Sequence, residues 1–528
     1  MTRAAFLLLL AFVAPLLPAG ARAEPFVTGQ NFNQPLLAGV AATALAFMAP
    51  RTLDAIPVPQ LVMWGLRGLT TLDSRLTPDL HQDPGIPAVL RLIGPGRVLF
   101  ARPAPAEADI AGWSDAIGQM ARAAWDTSES VRHAGTPGII RSFFDELFNH
   151  LDPYSRYTPP AEAAADRMRR SGRATLGLRV AVRSGGFVIA AVQSDGPAAL
   201  AGVRAGERVT AIDGQSVQGA TLMAVNALLA GPEYSRVAIT LRAHDGHTRV
   251  VTLERATLPP ETVTATTHDN ILVLQVSSFA RTTASRIAQE LIRALDADRQ
   301  PEGVVIDLRG NRGGLLRQAV AAAAMLQPDG IVATTSGRDP EAAHEFRADG
   351  RDLAGGLPVV VVVDGRTASA AEILAAALAD QRRAVVVGSS TLGKGLVQTI
   401  AELPDGGELL VTWSRVLAPR GWPIQALGVL PQVCTSLGQD LLARQLRALA
   451  QGSQPMAAAL ARHRAARAPL APAAALAIRA ACPAAEGRDA DMAAARFLVQ
   501  TPRAYATALL RPVPPPRAPT ALGGARLR

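Results

Sequence analysis

Residues 358–378 read PVVVVVDGRTASAAEILAAAL, and this stretch sets the fold class of the chain. Pro358 to Val363 is a proline followed by five valines, a pattern typical of a strand that is covered on both faces. A short turn follows, and Ala370 to Leu378 has the composition of a helix. The earlier segment Gly303 to Leu308 is a second strand of the same kind. Buried strands that alternate with helices predict an α/β core.

Ser369 stands at the junction between this strand and this helix, in the position of an N-cap. A serine there can simply cap the helix, because its hydroxyl accepts a backbone N–H group. The same position suits a nucleophile, since the first N–H groups of the helix, beginning with Ala370, offer positive potential to an oxyanion. This segment alone leaves both interpretations open.

Lys394 is the only lysine among the 53 lysine and arginine residues of the chain, and it lies in TLGKGLVQ, residues 391–398. A phosphate-binding loop would need Ser or Thr after the lysine, where this chain has Gly395. Arginine keeps its proton at any useful pH, whereas a buried lysine can lose its own. The sequence therefore predicts Lys394 as the general base for Ser369, with Gln398 orienting the amine by hydrogen bonding.

A glycine-rich turn follows the strand that begins at Gly303, in the sequence DLRGNRGG, residues 307–314. In α/β proteins, ligands bind at the carboxyl ends of the strands. The N–H group of Gly313 or Gly314 can therefore complete an oxyanion hole with that of Ala370. The alternative is an ordinary turn between a strand and a helix.

The first residues of the chain have the pattern of a secretory signal peptide. Arg3 precedes an apolar run from Ala4 to Leu17, and small residues flank Arg22 at the end. A membrane anchor is the alternative, but the run is short for a span. Cleavage after Ala23 predicts an exported protein, periplasmic or extracellular. It removes two arginines, so the formal net charge falls from +9 to 9 − 2 = +7.

The remaining composition narrows the function classes. The arginines are scattered and only 4% of the residues are aromatic, which disfavours nucleic-acid binding. A second apolar run, Leu36 to Met48, lies between prolines and is expected to be a buried helix. In an oxidising compartment a cysteine pair forms a disulfide more often than a metal site or a nucleophile, so we predict a Cys434–Cys482 bridge. The histidines show no zinc-ligand spacing, and no metal or other cofactor is expected.

Together these segments resemble the carboxyl-terminal processing proteases, also called tail-specific proteases. That family pairs a serine in an S-A-S-A-S-E-like motif with a lysine in G-K-G-x-x-Q, and Ser369 and Lys394 have its separation of 394 − 369 = 25 residues. Three further segments that fit are LDPYS at 151–155, SSF at 277–279 and GVLP at 428–431. A fourth, SDGPAALAGVRAGERV at 194–209, resembles the most recognisable stretch of PDZ domains. Arg312 departs from the pattern, because the family commonly has proline there.

The resemblance implies a fold of class α/β + β, with a crotonase-like α/β peptidase core, an inserted PDZ domain, and helical N-terminal and C-terminal regions. The expected divisions are a signal peptide (1–23), a mainly helical N-terminal region (24–165), the PDZ domain (170–258), the peptidase core (262–435), a helical C-terminal region (436–510) and a disordered tail (511–528).

The implied activity is that of a serine endopeptidase that works through an acyl-enzyme, with protein or peptide substrates that have free C-termini. The PDZ domain would add a substrate tail as a strand, in the loop formed by Leu176, Gly177 and Leu178. These leucines can equally be ordinary core residues of the domain. Peripheral membrane association and a homo-oligomer stay open.

Two other function classes compete with the peptidase. A non-catalytic PDZ adaptor or chaperone would keep the loop that binds tails, but it would have no use for the solitary Lys394 after a serine at a helix start. An α/β-hydrolase needs a serine in G-x-S-x-G, which the chain lacks, and a trypsin-like protease needs a Ser/His/Asp set.

Overall fold

The computed structural model describes residues 32–171, 173–193, 196–258 and 260–510. The predicted signal peptide and the predicted tail therefore lie outside the described residues. Two compact units divide the chain, Met1–Ala42 with Val62–Leu147 and Thr43–Leu61 with Phe148–Arg528. None of the helices in the described part is long and apolar enough to cross a bilayer.

Helices and one small sheet make up the described chain from Phe32 to Phe148. The helices are α1 (Gln34–Arg51), α2 (Val58–Leu66), α3 (Gly68–Leu72), α4 (Ile110–Thr127) and α5 (Glu129–Phe148), and the strands are β1 (Thr77–His81), β2 (Val89–Gly94) and β3 (Arg97–Pro103). The three strands form an antiparallel sheet in the order β1-β2-β3. Leu90 and Leu92 of β2 are fully buried, because alternate residues of a strand share one face. The sequence pattern of this region predicts helices and does not indicate this sheet.

The next part, which we call the β domain (residues 173–258), follows β4 (Arg156–Thr158) and α6 (Pro160–Ser171). It contains β5 (Arg173–Thr175), β6 (Leu178–Arg183), β7 (Gly186–Val192), α7 (Pro197–Leu200), β8 (Arg208–Ile212), β9 (Gln215–Ser216), α8 (Leu222–Leu229), β10 (Arg236–Arg242), β11 (Thr248–Glu254) and β12 (Ala256–Leu258). The main sheet has the order β11-β10-β8-β7-β6, so β6 lies at an edge, and β5 pairs with β12 where the domain begins and ends.

The α/β core contains two large sheets and one two-stranded sheet, in which β16 pairs with β19. Its elements are β13 (Val263–His268), β14 (Ile271–Val276), α9 (Thr283–Leu295), β15 (Gly303–Asp307), α10 (Leu316–Ala324), β16 (Leu326–Gln327), β17 (Ile331–Ser336), β18 (His344–Arg347), β19 (Arg351–Asp352), β20 (Val359–Val363), α11 (Ala370–Asp380), β21 (Ala384–Gly388), β22 (Leu396–Glu402), β23 (Glu408–Leu417) and β24 (Val433–Cys434). One sheet has the order β13-β14-β15-β20-β21-β24, parallel from β14 onward. The other has the order β18-β17-β23-β22, and β4 also pairs with β23.

Five helices follow the core: α12 (Gln439–Ala450), α13 (Ala457–Ala465), α14 (Pro472–Arg479), α15 (Asp489–Gln500) and α16 (Pro502–Ala508). The valines of β20 show why the parallel sheet needs helices on this side. Val359, Val361 and Val363 pack into a cluster with α9, α10 and α11, whereas Val360 and Val362 pack on the other face against residues of α12, α15 and α16. The parallel sheet is thus covered on both faces, as continuous apolar strands require. A disulfide joins Cys434 to Cys482.

Candidate active site

Ser369 occupies a strained position between β20 and α11. Its φ and ψ are 57° and −121°, in a region that residues other than glycine seldom adopt. The preceding turn is held by Asp364, whose carboxylate oxygen Oδ1 accepts the N–H groups of Arg366 (3.0 Å) and Thr367 (2.9 Å) and also that of Gly310 (3.0 Å) in the glycine-rich turn. These hydrogen bonds fix the turn on the N-terminal side of Ser369 and thereby hold the residue in its strained backbone conformation.

Glu372, three residues into the same motif, joins the serine segment to the lysine segment. It is fully buried, and its Oε2 atom accepts the backbone N–H groups of Ser369 (2.7 Å) and Lys394 (2.9 Å). Its Oε1 atom accepts the N–H group of Gly393 (2.7 Å) and the hydroxyl of Thr391. Burial raises the pKa of the Glu372 carboxyl, and these four hydrogen bonds oppose the rise. Nothing in the sequence pattern indicates this role, although Glu372 lies in the same motif as Ser369.

Lys394 is half-buried and lines the same cavity as Ser369, which has a volume of about 710 Å³. Burial lowers the pKa of the Lys394 amine, and the positive charge of Arg156 lowers it further, whereas the carboxylates of Asp152 and Glu372 raise it. The Nζ atom lies 4.8 Å from the centroid of the Tyr154 ring. The net effect is a lowered pKa, which is what a lysine that accepts a proton requires.

Gln398 lines the cavity as well, but its hydrogen bonds differ from those that we expected. Its Nε2 atom donates to the carbonyl of Leu396 (3.2 Å) and to the hydroxyl of Thr412 (3.0 Å), and that hydroxyl donates to Asp152 Oδ1 (2.7 Å). Among the described side chains there is no hydrogen bond between Gln398 and Lys394. Because both N–H groups of the amide are engaged, the carbonyl oxygen is the group that remains for a bond in the cavity.

The glycine-rich turn lies directly against the serine. A Cβ atom added to Gly313 would lie 2.8 Å from Ser369 Cβ and 3.0 Å from the nitrogen of Ala370. The N–H group of Gly313 already donates to Asn311 Oδ1 (2.8 Å). In contrast, the N–H groups of Gly314 and Ala370 donate to none of the residues that the structure describes. The geometry thus separates the two glycines that the sequence left equivalent.

Apolar side chains form most of the cavity wall. They include Phe279, Leu315, Ile373, Leu396 and Val416. Such a wall offers contact surface for the apolar groups of a ligand.

The predicted tail-binding loop is placed at the edge of the β domain. Leu176 is buried in the core of the domain, Gly177 has φ of 71°, and Leu178 begins the edge strand β6. A Cβ atom on Gly177 would lie 2.8 Å from the Cα atom of Gly196, so the backbones of these two glycines are in close contact. The backbone of an edge strand is open to pairing with another strand.

Two family models match the chain: "Peptidase family S41" over residues 270–435 and "PDZ domain" over residues 188–243. The chain is similar to the "C-terminal processing peptidase, chloroplastic" of Tetradesmus obliquus, with 34% identity over 327 residues, 57% of this chain and 68% of the relative. It is similar to the "Carboxy-terminal-processing protease" of Bartonella bacilliformis, with 32% identity over 301 residues, 56% and 69% of the two chains. Among solved structures it is similar to a photosystem II D1 C-terminal processing protease, with 31% identity, a TM-score of 0.36, and coverage of 59% of this chain and 85% of that one.

Proposed function

This chain belongs to the carboxyl-terminal processing proteases of peptidase family S41, and we propose that Ser369 and Lys394 are the pair with which it hydrolyses peptide bonds. The observation that supports this most is that Glu372 Oε2 accepts two hydrogen bonds, one from the backbone N–H group of each residue. One buried oxygen thereby fixes the nucleophile and the base relative to each other. Both side chains then line one largely apolar cavity.

In the proposed reaction the Oγ atom of Ser369 attacks the peptide carbonyl carbon while the Nζ atom of Lys394 takes its proton. The bond to the leaving amine then breaks, and Lys394 returns the proton to the amine. The acyl-enzyme that remains is attacked by water, which Lys394 deprotonates in turn; the bond between the acyl carbon and Ser369 Oγ then breaks, Lys394 returns this proton to Oγ, and the carboxylic acid product leaves. The amine must be neutral to begin this cycle, and burial together with Arg156 favours that form by lowering its pKa.

The oxyanion is proposed to bind between the N–H groups of Ala370 and Gly314. Ala370 supplies the first N–H group of α11, where the helix dipole also favours negative charge. Gly314 is preferred over Gly313, because the N–H group of Gly313 is bonded to Asn311. Donors of this kind each contribute roughly 10²- to 10³-fold to kcat in serine hydrolases.

The third supporting residue is Gln398, which we assign to the orientation of the lysine amine. Its carbonyl oxygen can accept an N–H bond from Lys394 when the amine turns toward it, because the amide N–H groups are held by Leu396 and Thr412. This assignment places Gln398 in a supporting role and not in the transfer of protons.

The PDZ domain and the protease relatives indicate that the chain binds peptides or proteins. We propose that substrate tails add to the edge strand β6, with the terminal carboxylate captured by the backbone near Gly177. We further propose the division into domains given above, the crotonase-like arrangement of the core, and export to an oxidising compartment. The disulfide between Cys434 and Cys482 supports the last of these.

The test is the hydrolysis of casein and of tail-tagged quenched peptides by the full chain and by two variants. Ser369→Ala and Lys394→Arg should each abolish cleavage and leave the unfolding temperature unchanged, because arginine keeps its proton. Lys394 is the only lysine, so reductive ¹³C-methylation labels one side chain, and NMR titration should give it a pKa below 10.5. Near-normal activity of Lys394→Arg would reject the assignment of the base, and binding of tails without cleavage would favour an adaptor.

A further inference from the structure

The cavity that holds Ser369 is strongly cationic. Besides Lys394, its lining includes three arginines, Arg156, Arg281 and Arg312, and it includes neither aspartate nor glutamate. We call these three residues the arginine rim. All three are exposed, so their guanidinium groups reach solvent at the edge of an otherwise apolar cavity. Such an edge is the usual place for groups that select a ligand by its charge.

The arginine rim is not neutralised by the protein itself. Within the described ranges, none of the three forms an ion pair with a carboxylate. Arg309, in the same glycine-rich turn as Arg312, shows the contrast, because it lies 2.7 Å from Asp307 and is mostly covered. The turn therefore contains one arginine whose charge is matched inside the fold and one whose charge faces the cavity.

The backbone places the rim close to the reacting bond. Arg312 directly precedes Gly313, where an added Cβ atom would lie 2.8 Å from Ser369 Cβ. Arg281 follows two residues after Phe279, and the backbone of Phe279 pairs with Gly314. Arg312 and Arg281 therefore lie within a few residues, along the backbone, of the groups that would hold the oxyanion and the acyl carbon.

We propose that the arginine rim selects substrates that present carboxylates within a few residues of the scissile bond. This inference rests on the peptidase function proposed above and names the substrate class. Guanidinium groups bind carboxylates through two parallel N–H bonds, and here no internal carboxylate competes for them. The carboxylate can come from Asp or Glu side chains or from the C-terminus of the substrate.

The experiment compares quenched peptides of one length and one C-terminal tail, with Asp or Glu replaced by Asn or Gln at each position around the cleaved bond. A second set has the same sequences with an amidated C-terminus, which separates side-chain carboxylates from the terminal one. The variants are Arg312→Ala, Arg281→Ala and the double variant. Arg444→Ala is the control, because Arg444 is exposed on α12, away from the cavity lining. Arg156 is left intact, since it also lowers the pKa of Lys394.

For acidic peptides, kcat/KM should fall about two- to fivefold for each arginine removed, the effect of an exposed charge pair, and should change little for the neutral peptides. Raising the salt concentration should reduce the preference of the wild type in the same way. Equal kcat/KM for acidic and neutral peptides, or equal losses for both, would overturn the proposal. A charge reversal, Arg312→Glu, should shift the preference toward peptides with Lys or Arg.

Binding of the same peptides to Ser369→Ala, followed by fluorescence anisotropy, keeps this test independent of catalysis. If no peptide is cleaved but acidic peptides bind more tightly and lose this advantage in the arginine variants, the peptidase function fails while the selection by charge stands. If cleavage depends on Ser369 and the affinity for peptides does not depend on their charge, the peptidase function is supported and the proposed selection by charge is wrong.

Discussion

Glu372→Gln is the most informative single change, because it alters one atom of the carboxyl group that joins the segments of Ser369 and Lys394, the proposed catalytic pair. Oε2 accepts the N–H groups of Ser369 and Lys394, and Oε1 accepts that of Gly393 and the hydroxyl of Thr391. Glutamine has one oxygen and one NH₂ group, so one of the two positions must become a donor. A donor in place of Oε2 would face two N–H groups, whereas a donor in place of Oε1 would face only one.

The less costly orientation therefore keeps the oxygen toward Ser369 and Lys394 and turns the NH₂ group toward Thr391. The hydroxyl of Thr391 can rotate and accept this group, but the N–H group of Gly393 loses its partner in a buried position. Losing a hydrogen bond to a charged group and leaving a buried donor unsatisfied amounts to about 3–5 kcal/mol. If half of this penalty appears in the geometry of the reacting groups, kcat falls about 10- to 70-fold.

The assay is kcat and KM for a quenched peptide, together with thermal unfolding. The matched control is Asp380→Asn, because Asp380 is a second buried carboxylate on α11 but bonds Trp422 and Arg464 instead of the catalytic segments. Glu372→Gln should lower kcat strongly, and Asp380→Asn should lower the unfolding temperature with little change in kcat. Retention of kcat within threefold by Glu372→Gln would refute this account. An equal loss of kcat in both variants would show that any damage to the helix has the same effect.

Two further predictions concern His463, which affects the stability of the fold, and Thr412, which positions Gln398. Burial lowers the pKa of His463 to about 4, so the stability that its neutral form provides is complete above pH 6.5 and is lost as the pH falls toward 4, by about 3 kcal/mol. His463→Gln can still donate to the Gly428 carbonyl and should flatten the pH dependence of unfolding between pH 7 and 4.5; an unchanged slope would contradict the assignment. Thr412→Val frees the amide of Gln398 and breaks its link to Asp152, and should lower kcat about three- to tenfold at constant KM. Thr412→Ser should restore kcat, and failure to do so would assign the effect to packing.

The valines of β20 show what the sequence could predict about the fold. Five consecutive apolar residues require cover on two faces, and this requirement is visible without a structure. Which helices provide the cover is not visible, because α12, α15 and α16 are ordinary Ala- and Leu-rich segments in sequence. The sheet β1-β2-β3 was missed for a different reason. Its strands are short, and the prolines around them suggested only breaks between helices.

For the candidate site, too, some features could be predicted from the sequence and others could not. Ser369 and Lys394 could be proposed from residue type, spacing and family resemblance, since each has an unusual chemical setting in the sequence. The hydrogen bonds that fix them join Glu372 to Lys394 and Thr412 to Asp152, across separations of 22 and 260 residues. Hydrogen bonds of this kind depend on strand pairing, such as that of β4 with β23, and they cannot be predicted from a short stretch of sequence.

The charges around Lys394 explain why burial is the decisive factor in the proposed mechanism. Asp152 and Glu372 both raise the pKa of the amine, and an aromatic face such as that of Tyr154 also favours a cation. Neither carboxylate can be dispensed with, because each accepts hydrogen bonds that hold the backbone of the site. Arg156 opposes their effect on the pKa only in part, so the removal of water from the amine must provide most of the decrease in its pKa.

Lys394 is only half-buried, however, and the remaining water can be displaced only by what fills the cavity. A peptide whose side chains occupy the apolar wall would complete the desolvation of the amine and lower its pKa further at the moment of reaction. Binding energy from residues away from the cleaved bond would then appear in kcat as well as in KM. In the proposed mechanism the neutral fraction of the Lys394 amine therefore rises when a substrate is in place, and Ser369 is activated mainly in that complex.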